Sequence, residues 1–490
     1  MKLVLVGHSY KYAVEQIMLA LFPKEKPNYS SDALTESDEL IMTSRFQIGD
    51  KYAQATTCMR CGDRVSHGIA RIKRDKLKGK IMTDRLSQRI IKQSFYRAAL
   101  VFLDTPPIWG SLTGIRPASI ALEKIESGIS KKSAIKELTR LYYVSRERAE
   151  MCVQAAAASL ALKQELAFGD IALYIGIPFC PSRCAYCSFV SNSVEKSFDL
   201  IEPFVKTLLK EIDLAAKVVN DHGLRVIAIY IGGGTPTVLP PDYLEAIMAA
   251  LKSAFDITSL REYTLEAGRP DTIDDLKLRI ATRYGADRVC VNPQSMSAET
   301  LAAIGRNHSP EETFNAVRLV RRFNASLNMD VIAGLPGDTP ESFSRTLDTL
   351  LELAPENITV HTLSLKKGSR IMLDGTARPC GADVSEMLGY ASRCLRGSGY
   401  EPYYLYKQKY TSGGFENTGW SRPGHEGIYN ICMMEELCTV LALGGGGVTK
   451  LVSANGNIER IFNAKYPREY IMQADKMKMK YERLMKYNFH

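Results

Sequence analysis

The pattern that most constrains the fold is an alternation of short apolar segments with longer helical ones from residue 171 to about residue 367. The apolar segments are Leu173–Ile177, Val226–Ile231, Tyr263–Glu266, Arg288–Val291, Asn328–Ile332 and Ile358–Leu363. The helical runs between them are Phe198–Val219, Asp242–Phe255, Asp271–Tyr284, Glu311–Phe323 and Pro340–Leu353. Alternation of this kind predicts a parallel sheet with helices outside. We therefore expect an α/β fold with a partial (β/α)6 TIM-type barrel, whose chemistry lies at the carboxyl ends of the strands.

Three cysteines follow the first of these strands directly. Pro178 ends the strand because proline has no N–H to donate, and the chain continues as Cys180-x-x-x-Cys184-x-x-Cys187. Thiolates at this spacing predict a metal centre. Zinc usually takes four protein ligands, and no histidine or fourth cysteine lies nearby. A 4Fe–4S cluster held by three cysteines would leave one iron free to bind a small molecule.

Polar or glycine-rich motifs also mark the ends of the later strands. Gly232-Gly233-Gly234-Thr235-Pro236 follows the second strand, and its lack of side chains allows backbone N–H groups to approach a ligand. Glu266 ends the third strand, where a carboxylate can accept hydrogen bonds from an ammonium or ribose group. Gln294 and Asp330 mark the fourth and fifth strands. Each residue taken alone is also explained as an ordinary polar residue at a strand end.

Together these segments resemble radical S-adenosylmethionine (radical SAM) enzymes, and in particular the oxygen-independent coproporphyrinogen III oxidase (dehydrogenase) family. The resemblance rests on the segment IPFC, which ends in Cys180, on Tyr174 and Tyr186, and on GGGTP. It implies a partial barrel of the radical SAM type in which Cys180, Cys184 and Cys187 bind a 4Fe–4S cluster, with S-adenosyl-L-methionine (SAM) on the open iron. It also implies that Tyr174 orients SAM. The further cofactor contacts that it implies are Tyr186, Gly233, Gly234, Thr235, Glu266, Gln294, Arg306, Asp330 and Ser364.

In this family a 5′-deoxyadenosyl radical removes a hydrogen atom from a propionate side chain. The resemblance therefore implies oxidative decarboxylation of coproporphyrinogen III to protoporphyrinogen IX in heme biosynthesis, with electrons from a donor such as flavodoxin or ferredoxin. Two alternatives stay open. One is a heme chaperone of the same family, and the other is a radical SAM methyltransferase or tetrapyrrole-modifying enzyme.

The sequence departs from both branches of the family at defined positions. Phe189 occupies the position of the fourth cysteine that the well-characterised oxidases carry. The heme-binding HNxxYW segment of the chaperone branch is also missing, since the chain has Tyr429-Asn430 followed by Ile-Cys-Met-Met. Val448 replaces the usual histidine after the last glycine run.

We expect three domains, with bounds at residues 1–165, 166–375 and 376–490. The first would be an α+β accessory domain and the last a coproporphyrinogen-oxidase-like domain. Near the start of the last domain, Tyr403, Tyr404 and Tyr406 stand beside Lys407 and Lys409. Such residues could stack on a tetrapyrrole and pair with its carboxylates, or form a strand with exposed lysines.

The first 165 residues contain two weaker motifs. Cys58-x-x-Cys61 with His67 is compatible with a zinc or redox site, but two ordinary cysteines in a turn explain it equally well. The basic run from Arg71 to Lys80 is more typical of a solvated helix end than of a nucleic-acid site. We therefore assign no function to either motif.

Composition excludes several classes of protein. Apolar residues make up 45% and charged residues 24% of the 490 residues, which is typical of a globular protein. No apolar run reaches about 18 residues, and the amino terminus has no cleavage pattern, so we expect neither a membrane span nor a signal peptide. Eleven cysteines then indicate reduced thiols in a cytoplasmic protein. The net charge of +9 suits an anionic small molecule, and we expect neither a nucleic acid nor a membrane as partner.

Overall fold

The computed structural model describes residues 1–29, 39–187, 192–194, 197–364, 369–373, 379–408, 414–453 and 456–489. The chain forms two compact units. The first contains Met1–Val153 and a short segment that ends at Phe415, and the second contains the remainder. No helix in the described ranges has the length and apolar character needed to cross a bilayer.

The first unit is built on a five-stranded sheet in the order β2-β1-β3-β4-β5. Strand β1 pairs in parallel with β2 and β3, and β3, β4 and β5 pair in antiparallel fashion. Helices α1 and α2 cover one face through a core that includes Leu3, Ile17, Met42 and Phe95. The elements are β1 (Lys2–Val6), α1 (Lys11–Leu21), β2 (Asn28–Tyr29), β3 (Ile41–Ile48), β4 (Tyr52–Cys61), β5 (Arg64–Lys73), α2 (Gly79–Ala99), α3 (Pro117–Glu126), α4 (Lys131–Tyr142) and α5 (Arg146–Glu165). The division between the two units falls within α5.

The two weaker motifs both lie in this sheet. Cys58 and Cys61 are three residues apart on β4, so their side chains point to opposite faces and cannot share a ligand. Cys58 instead lies directly opposite His67 on β5. The basic run from Arg71 to Lys80 is not a single helix end. Its first residues belong to β5, which continues to Lys73, and α2 begins only at Gly79.

Six strands of the second unit are neighbours in space in the same order as they occur along the chain. Strands β6, β9, β10, β11, β12 and β13 are all parallel, as the alternating pattern predicts. The elements are β6 (Asp170–Ile177), β7 (Phe179–Cys180), β8 (Asn192–Ser193), α6 (Ile201–Asp221), β9 (Arg225–Gly233), α7 (Pro241–Ala254), β10 (Glu262–Glu266), α8 (Asp275–Arg283), β11 (Arg288–Cys290), α9 (Ala298–Ala303), α10 (Pro310–Arg321), β12 (Ser326–Ala333), α11 (Pro340–Glu352) and β13 (Asn357–Thr362). The expected mixed α/β architecture is confirmed.

The last part of the chain extends the same sheet on both sides. Strand β16 pairs in parallel with β6, and β15 pairs in antiparallel fashion with β13. The full order is β14-β15-β13-β12-β11-β10-β9-β6-β16-β17-β18. The elements are α12 (Arg370–Leu373), α13 (Gly381–Gly397), β14 (Glu401–Lys407), β15 (Glu416–Ser421), α14 (Ile428–Glu435), β16 (Thr439–Gly444), β17 (Val448–Val452), β18 (Ile458–Phe462), α15 (Pro467–Met472) and α16 (Ala474–Met485). Residues 376–490, which we expected to form a separate domain, thus supply strands to the same sheet as residues 166–375.

Side chains alternate across the sheet. Ile171, Leu173, Ile175 and Ile177 of β6 pack with α6 and α7 in the main apolar core. Tyr174 on the same strand belongs to a different cluster, with Tyr230 and Tyr429. The face opposite α6 and α7 therefore carries the polar and aromatic residues, as the twofold periodicity of a strand requires.

A buried ion pair joins α6 to the carboxyl-terminal helix α16. Glu211 and Lys480 are almost completely inaccessible, with Nζ of Lys480 3.0 Å from Oε1 of Glu211. The other donors to Glu211 are the Gly444 N–H (2.7 Å), Asn463 Nδ2 (3.1 Å) and the hydroxyls of Tyr470 (2.5 Å) and Tyr481 (3.1 Å). Because Gly445 donates its N–H to the Gly176 carbonyl at 3.0 Å, this network supports the chain just before the cysteine loop.

Candidate active site

The cysteine loop begins where β6 ends and is fixed by the neighbouring glycine turn. The N–H groups of Gly234 and Thr235 each donate at 2.7 Å, to the carbonyls of Ile177 and Phe179. A Cβ on Gly234 would lie 2.3 Å from the Phe179 carbonyl oxygen, so glycine is required there. These two N–H groups are therefore used within the protein, and not left for a ligand as the sequence suggested.

The three cysteines are partly exposed in the loop. Thr235 donates its hydroxyl to Sγ of Cys180 at 3.5 Å, and Cys187 donates its N–H to the Cys184 carbonyl at 3.1 Å. Within the described ranges, no three His, Cys, Asp or Glu side chains converge as the ligands of one ion would. Phe189, which stands where some relatives have a fourth cysteine, lies outside the described residues.

Tyr186 and Arg306 connect the cysteine loop to the sheet. Tyr186 packs against an apolar cluster that contains Ile304 and Leu335. Burial raises the pKa of Tyr186. Burial also disfavours the charge of Arg306, but its contacts with Tyr186 and Cys184 outweigh that effect and raise its pKa. A permanent positive charge is thereby held beside Cys184.

Glu266 is linked to this arginine through Asn292. Arg306 donates Nη1 to the Asn292 carbonyl, and the Asn292 side-chain amide donates to Glu266 Oε1. The Tyr230 hydroxyl donates to the other oxygen of Glu266. Burial raises the pKa of Glu266 to about 8, and the negative charge of Asp330 acts in the same direction. Glu266 is consequently protonated at neutral pH.

Asp330 has the opposite electrostatic character. Burial opposes its ionisation, but hydrogen bonding and charge from His361 outweigh burial and lower the pKa of Asp330. Nε2 of His361 lies 3.4 Å from Asp330 Oδ2, and Asn328 donates to Oδ1 at 2.9 Å. The site thus places an ionised carboxylate next to a protonated one.

His361 lies between two hydrogen-bond acceptors. Its Nδ1 is 3.3 Å from Oδ1 of Asn417, and the Thr362 N–H donates to that same oxygen at 3.0 Å, which identifies it as the acceptor. Both ring nitrogens therefore face acceptor oxygens, an arrangement that favours the protonated ring. Burial would lower the pKa of His361, but the bond to Asp330 raises it above its usual value.

Gln294 is held in an unusual backbone conformation next to Asp330. Its φ is +69°, and its N–H donates to the Asp330 carbonyl at 3.0 Å. In the described part of the chain, four buried atoms of this region have no hydrogen-bond partner: Gln294 Oε1, Asn292 Oδ1, Arg306 Nε and Asn417 Nδ2. Because buried polar groups are normally paired, these atoms indicate a site shaped for a polar ligand.

Stacked tyrosines line the inner face of the sheet. The ring centroid of Tyr230 is 4.5 Å from that of Tyr429 and 6.4 Å from that of Tyr174. A Cβ on Gly233 would lie 3.2 Å from the Tyr174 hydroxyl, which places the glycine turn at the top of this column. Burial raises the pKa of Tyr174, so its hydroxyl keeps its proton.

The structure brings most of the predicted residues into one connected region. Contacts run from Tyr174 through Tyr230 to Glu266, and from Glu266 through Asn292 to Arg306, Tyr186 and Cys184. Ser364 follows β13, close to the end of the described segment. Tyr403 and Tyr404 are buried and Lys407 is nearly so, so they do not form an open platform for a macrocycle. Lys409 lies outside the described residues.

Sequence reasoning missed Tyr230, His361 and Asn417. A signal for Tyr230 was available, since the Ala-x-Tyr-x-Gly pattern around Tyr174 recurs at residues 228–232. His361 and Asn417 carry no such signal, because they meet only through the pairing of β13 with β15.

The chain is similar in sequence to one family model and to several known proteins. The model of the radical SAM superfamily matches residues 174–350. The oxygen-independent coproporphyrinogen-III oxidase-like protein HemZ of Bacillus subtilis (strain 168) is 38% identical over 369 residues, which cover 74% of each chain. The chain belongs to the oxygen-independent coproporphyrinogen III oxidase-like family. The heme chaperone HemW of Escherichia coli (strain K12) is 25% identical over 302 residues, which cover 61% of this chain and 75% of HemW.

A solved structure supports the fold of this oxidase-like family member. Coproporphyrinogen III oxidase (HemN) from Escherichia coli, a radical SAM enzyme, superposes with a TM-score of 0.51 at 21% identity. The match covers 65% of this chain and 72% of HemN. As a radical SAM protein, the chain uses a 4Fe–4S cluster and SAM. The Cys184 thiol beside Arg306 and the unpaired polar atoms around Glu266 fit this pair of cofactors.

Proposed function

We propose that this protein is a radical SAM enzyme that converts coproporphyrinogen III to protoporphyrinogen IX without oxygen. Two propionate groups would each lose a hydrogen atom, carbon dioxide and one further electron to become vinyl groups, and that electron would pass to an external one-electron acceptor. The observation that carries the proposal is the continuous path from Cys184 through Arg306 and Asn292 to Glu266. The substrate comes from the printed names of relatives such as HemZ.

Cys180, Cys184 and Cys187 would hold the cluster. When bound, the cluster and SAM supply one-electron chemistry and hydrogen-atom abstraction. Thr235 donates a hydrogen bond to Cys180, and Arg306 offsets negative charge next to Cys184. Both interactions place a hydrogen-bond donor or a positive charge next to sulfur atoms that would bind iron.

SAM would lie over the polar inner face. The protonated Glu266 can donate to a ribose hydroxyl, and the ionised Asp330 can accept from one. Arg306 would pair with the carboxylate of SAM, and Gln294 and Asn292 offer unpaired oxygens to its ammonium or hydroxyl groups. Tyr174, stacked within the tyrosine column, would orient the cofactor from below. Further contacts would come from Tyr186, Gly233 and Ser364, whereas Gly234 and Thr235 would act by fixing the cysteine loop through their N–H groups.

The test is a single-turnover assay on anaerobically reconstituted protein with coproporphyrinogen III, SAM and a chemical reductant. The proposal predicts deoxyadenosine together with vinyl products, detected by mass. Cys184→Ala should abolish both products, whereas Cys58→Ala, a partly exposed cysteine of the first unit, should change neither. Deoxyadenosine without a vinyl product would reject this substrate, and a methylated product would favour a methyltransferase. In the cell, a flavodoxin or ferredoxin would replace the chemical reductant.

The similarity to HemW supports a second candidate function, that of a heme chaperone. In this chain, however, Tyr429 is buried in the tyrosine column, and neither histidine nor tryptophan stands beside Tyr429-Asn430. A stoichiometric, stable heme complex with no cleavage of SAM would favour the chaperone over the enzyme.

A further inference from the structure

The excess positive charge of the protein lies in the first unit. Residues 1–153 contain 26 Lys and Arg against 16 Asp and Glu, a net charge of +10, whereas the whole chain carries +9. Residues 51–80 alone contain nine Lys and Arg against two Asp, a net charge of +7. The proposed reaction uses none of these residues.

Six of the nine cations of residues 51–80 lie at one end of the sheet, which we call the basic end. It comprises the turn from Ile48 to Tyr52 and the segment from Lys73 to Met82. Asp50, 3.9 Å from Nη1 of Arg74, and Asp75 lie there too and reduce its net charge to +4. The Arg74 N–H donates to the Lys51 carbonyl at 3.1 Å, which joins the two segments. Only five residues separate the end of β5 from the start of α2, so the first turn of α2 lies at the same end. The exposed cations of the basic end are Lys51, Lys73, Arg74, Lys76, Lys78 and Lys80.

The basic end also exposes large apolar side chains among these cations. Ile81 is 86% exposed, directly after Lys80, and Met82 is 41% exposed. Ile48 and Tyr52, at the two ends of the turn, are 48% and 47% exposed. Single exposed apolar side chains occur elsewhere on the surface, such as Met472 at 83%, but at the basic end four of them stand among six cations.

Against the expectation from composition that a membrane is not a partner, we propose that the basic end binds the surface of an anionic phospholipid bilayer. Lysines attract the headgroups of an anionic leaflet, while Ile81, Met82 and Tyr52 would enter the boundary between headgroups and acyl chains. A nucleic acid would satisfy the cations but would leave the aliphatic side chains in water, and this end offers only one exposed aromatic ring for stacking. The combination of charge with aliphatic exposure favours the bilayer.

The test is sedimentation of the full-length protein with phosphatidylcholine vesicles that contain either no phosphatidylglycerol or about 30% of it. We expect binding to the anionic vesicles only. Lys76→Ala/Lys78→Ala/Lys80→Ala should weaken that binding about a hundredfold, at about fivefold per lysine. Ile81→Ser, which leaves the net charge unchanged, should weaken it about tenfold.

Two matched variants control for charge and for exposed apolar area. Lys131→Ala/Lys132→Ala removes exposed lysines from α4, and Met472→Ser removes a side chain that is 83% exposed in the second unit. Neither should change vesicle binding by more than about twofold. Far-UV circular dichroism checks that each variant is folded.

Three results would overturn the proposal. The first is an absence of binding to the anionic vesicles, and the second is binding that Ile81→Ser leaves intact, which would indicate a general polyanion site. The third is tighter binding to a single-stranded RNA than to the vesicles, with the same dependence on the three lysines. That result would assign the basic end to nucleic acid instead.

Discussion

Two buried glutamates of the second unit show how the same side chain serves two purposes. Glu211 pairs with Lys480 and accepts four further hydrogen bonds. Glu266 accepts from the neutral side chains of Tyr230 and Asn292, and the charge of Asp330 opposes its ionisation. A carboxylate with a complete set of donors and a cation holds the structure together. A carboxyl with neutral partners and a perturbed pKa is placed for chemistry.

The largest effect should come from breaking the Glu211 pair. Lys480→Met leaves a buried carboxylate without its cation, which should cost about 3–5 kcal/mol of unfolding free energy. Urea denaturation followed by the fluorescence of Trp420 reports on the second unit alone if Trp109, the other tryptophan, is replaced by Phe. Lys478→Met, on the exposed side of α16, should change the stability by less than about 0.5 kcal/mol. Equal effects of the two substitutions would contradict the structural role of Glu211.

Replacing Glu266 should raise the free energy of unfolding, which is the opposite of the effect expected at the Glu211 pair. An unfolded glutamate ionises near 4.5, whereas the folded Glu266 has a pKa of about 8, so the folded state retains the proton between these values. The stability of the wild-type protein therefore falls as pH rises through this range. Glu266→Gln removes that dependence and should be more stable than wild type by about 2–4 kcal/mol at pH 8, with no gain at pH 4.5. If Glu266→Gln instead lost stability at pH 8, as we expect for Glu211→Gln, the two glutamates would have the same structural role.

His361→Gln tests the pair that His361 forms with Asp330, the carboxylate next to Glu266. Because the pKa of His361 is raised in the folded state, its protonation stabilises the fold below 6.5, and this stabilisation is lost as pH rises through the folded pKa. Because the pKa of Asp330 is lowered, its ionisation stabilises the fold above 3.8. The variant should therefore lose about 1.5 kcal/mol near pH 5.5 and less at pH 8.5, by the same fluorescence assay. His425→Gln, at a partly exposed histidine of the same unit, serves as the control. A loss that does not change with pH would exclude the ion pair.

The smallest effect concerns the hydrogen bond from Thr235 to Cys180. Thr235→Val removes the donor, which should shift the reduction potential of the cluster to more negative values by tens of millivolts. Potentiometry monitored by electron paramagnetic resonance measures this shift. Thr235→Ser keeps the hydroxyl and should retain the wild-type potential. An unchanged potential in Thr235→Val would mean that this hydroxyl does not act on the cluster.

The sequence predicts the six central strands well because parallel strands are buried on both faces and appear as continuous apolar runs. It predicts the extent of the sheet less well. Thr439–Gly444 is also an apolar run, but nothing local to it reveals that it pairs with β6, more than 260 residues earlier. Pairing between distant segments likewise creates the contact between His361 and Asn417. Spacing alone also cannot show that Cys58 and Cys61 point apart, since this depends on their lying in a strand.

The most direct test of the central claim, that Cys180, Cys184 and Cys187 hold a cluster with one open iron, is iron, sulfide and zinc analysis of the anaerobically reconstituted protein. It should be combined with magnetic resonance of the reduced protein with and without SAM. We predict about four iron and four sulfide per chain, with a spectrum that changes when SAM is added and is lost in Cys184→Ala. One zinc per chain without iron, or a cluster whose spectrum is insensitive to SAM, would contradict it.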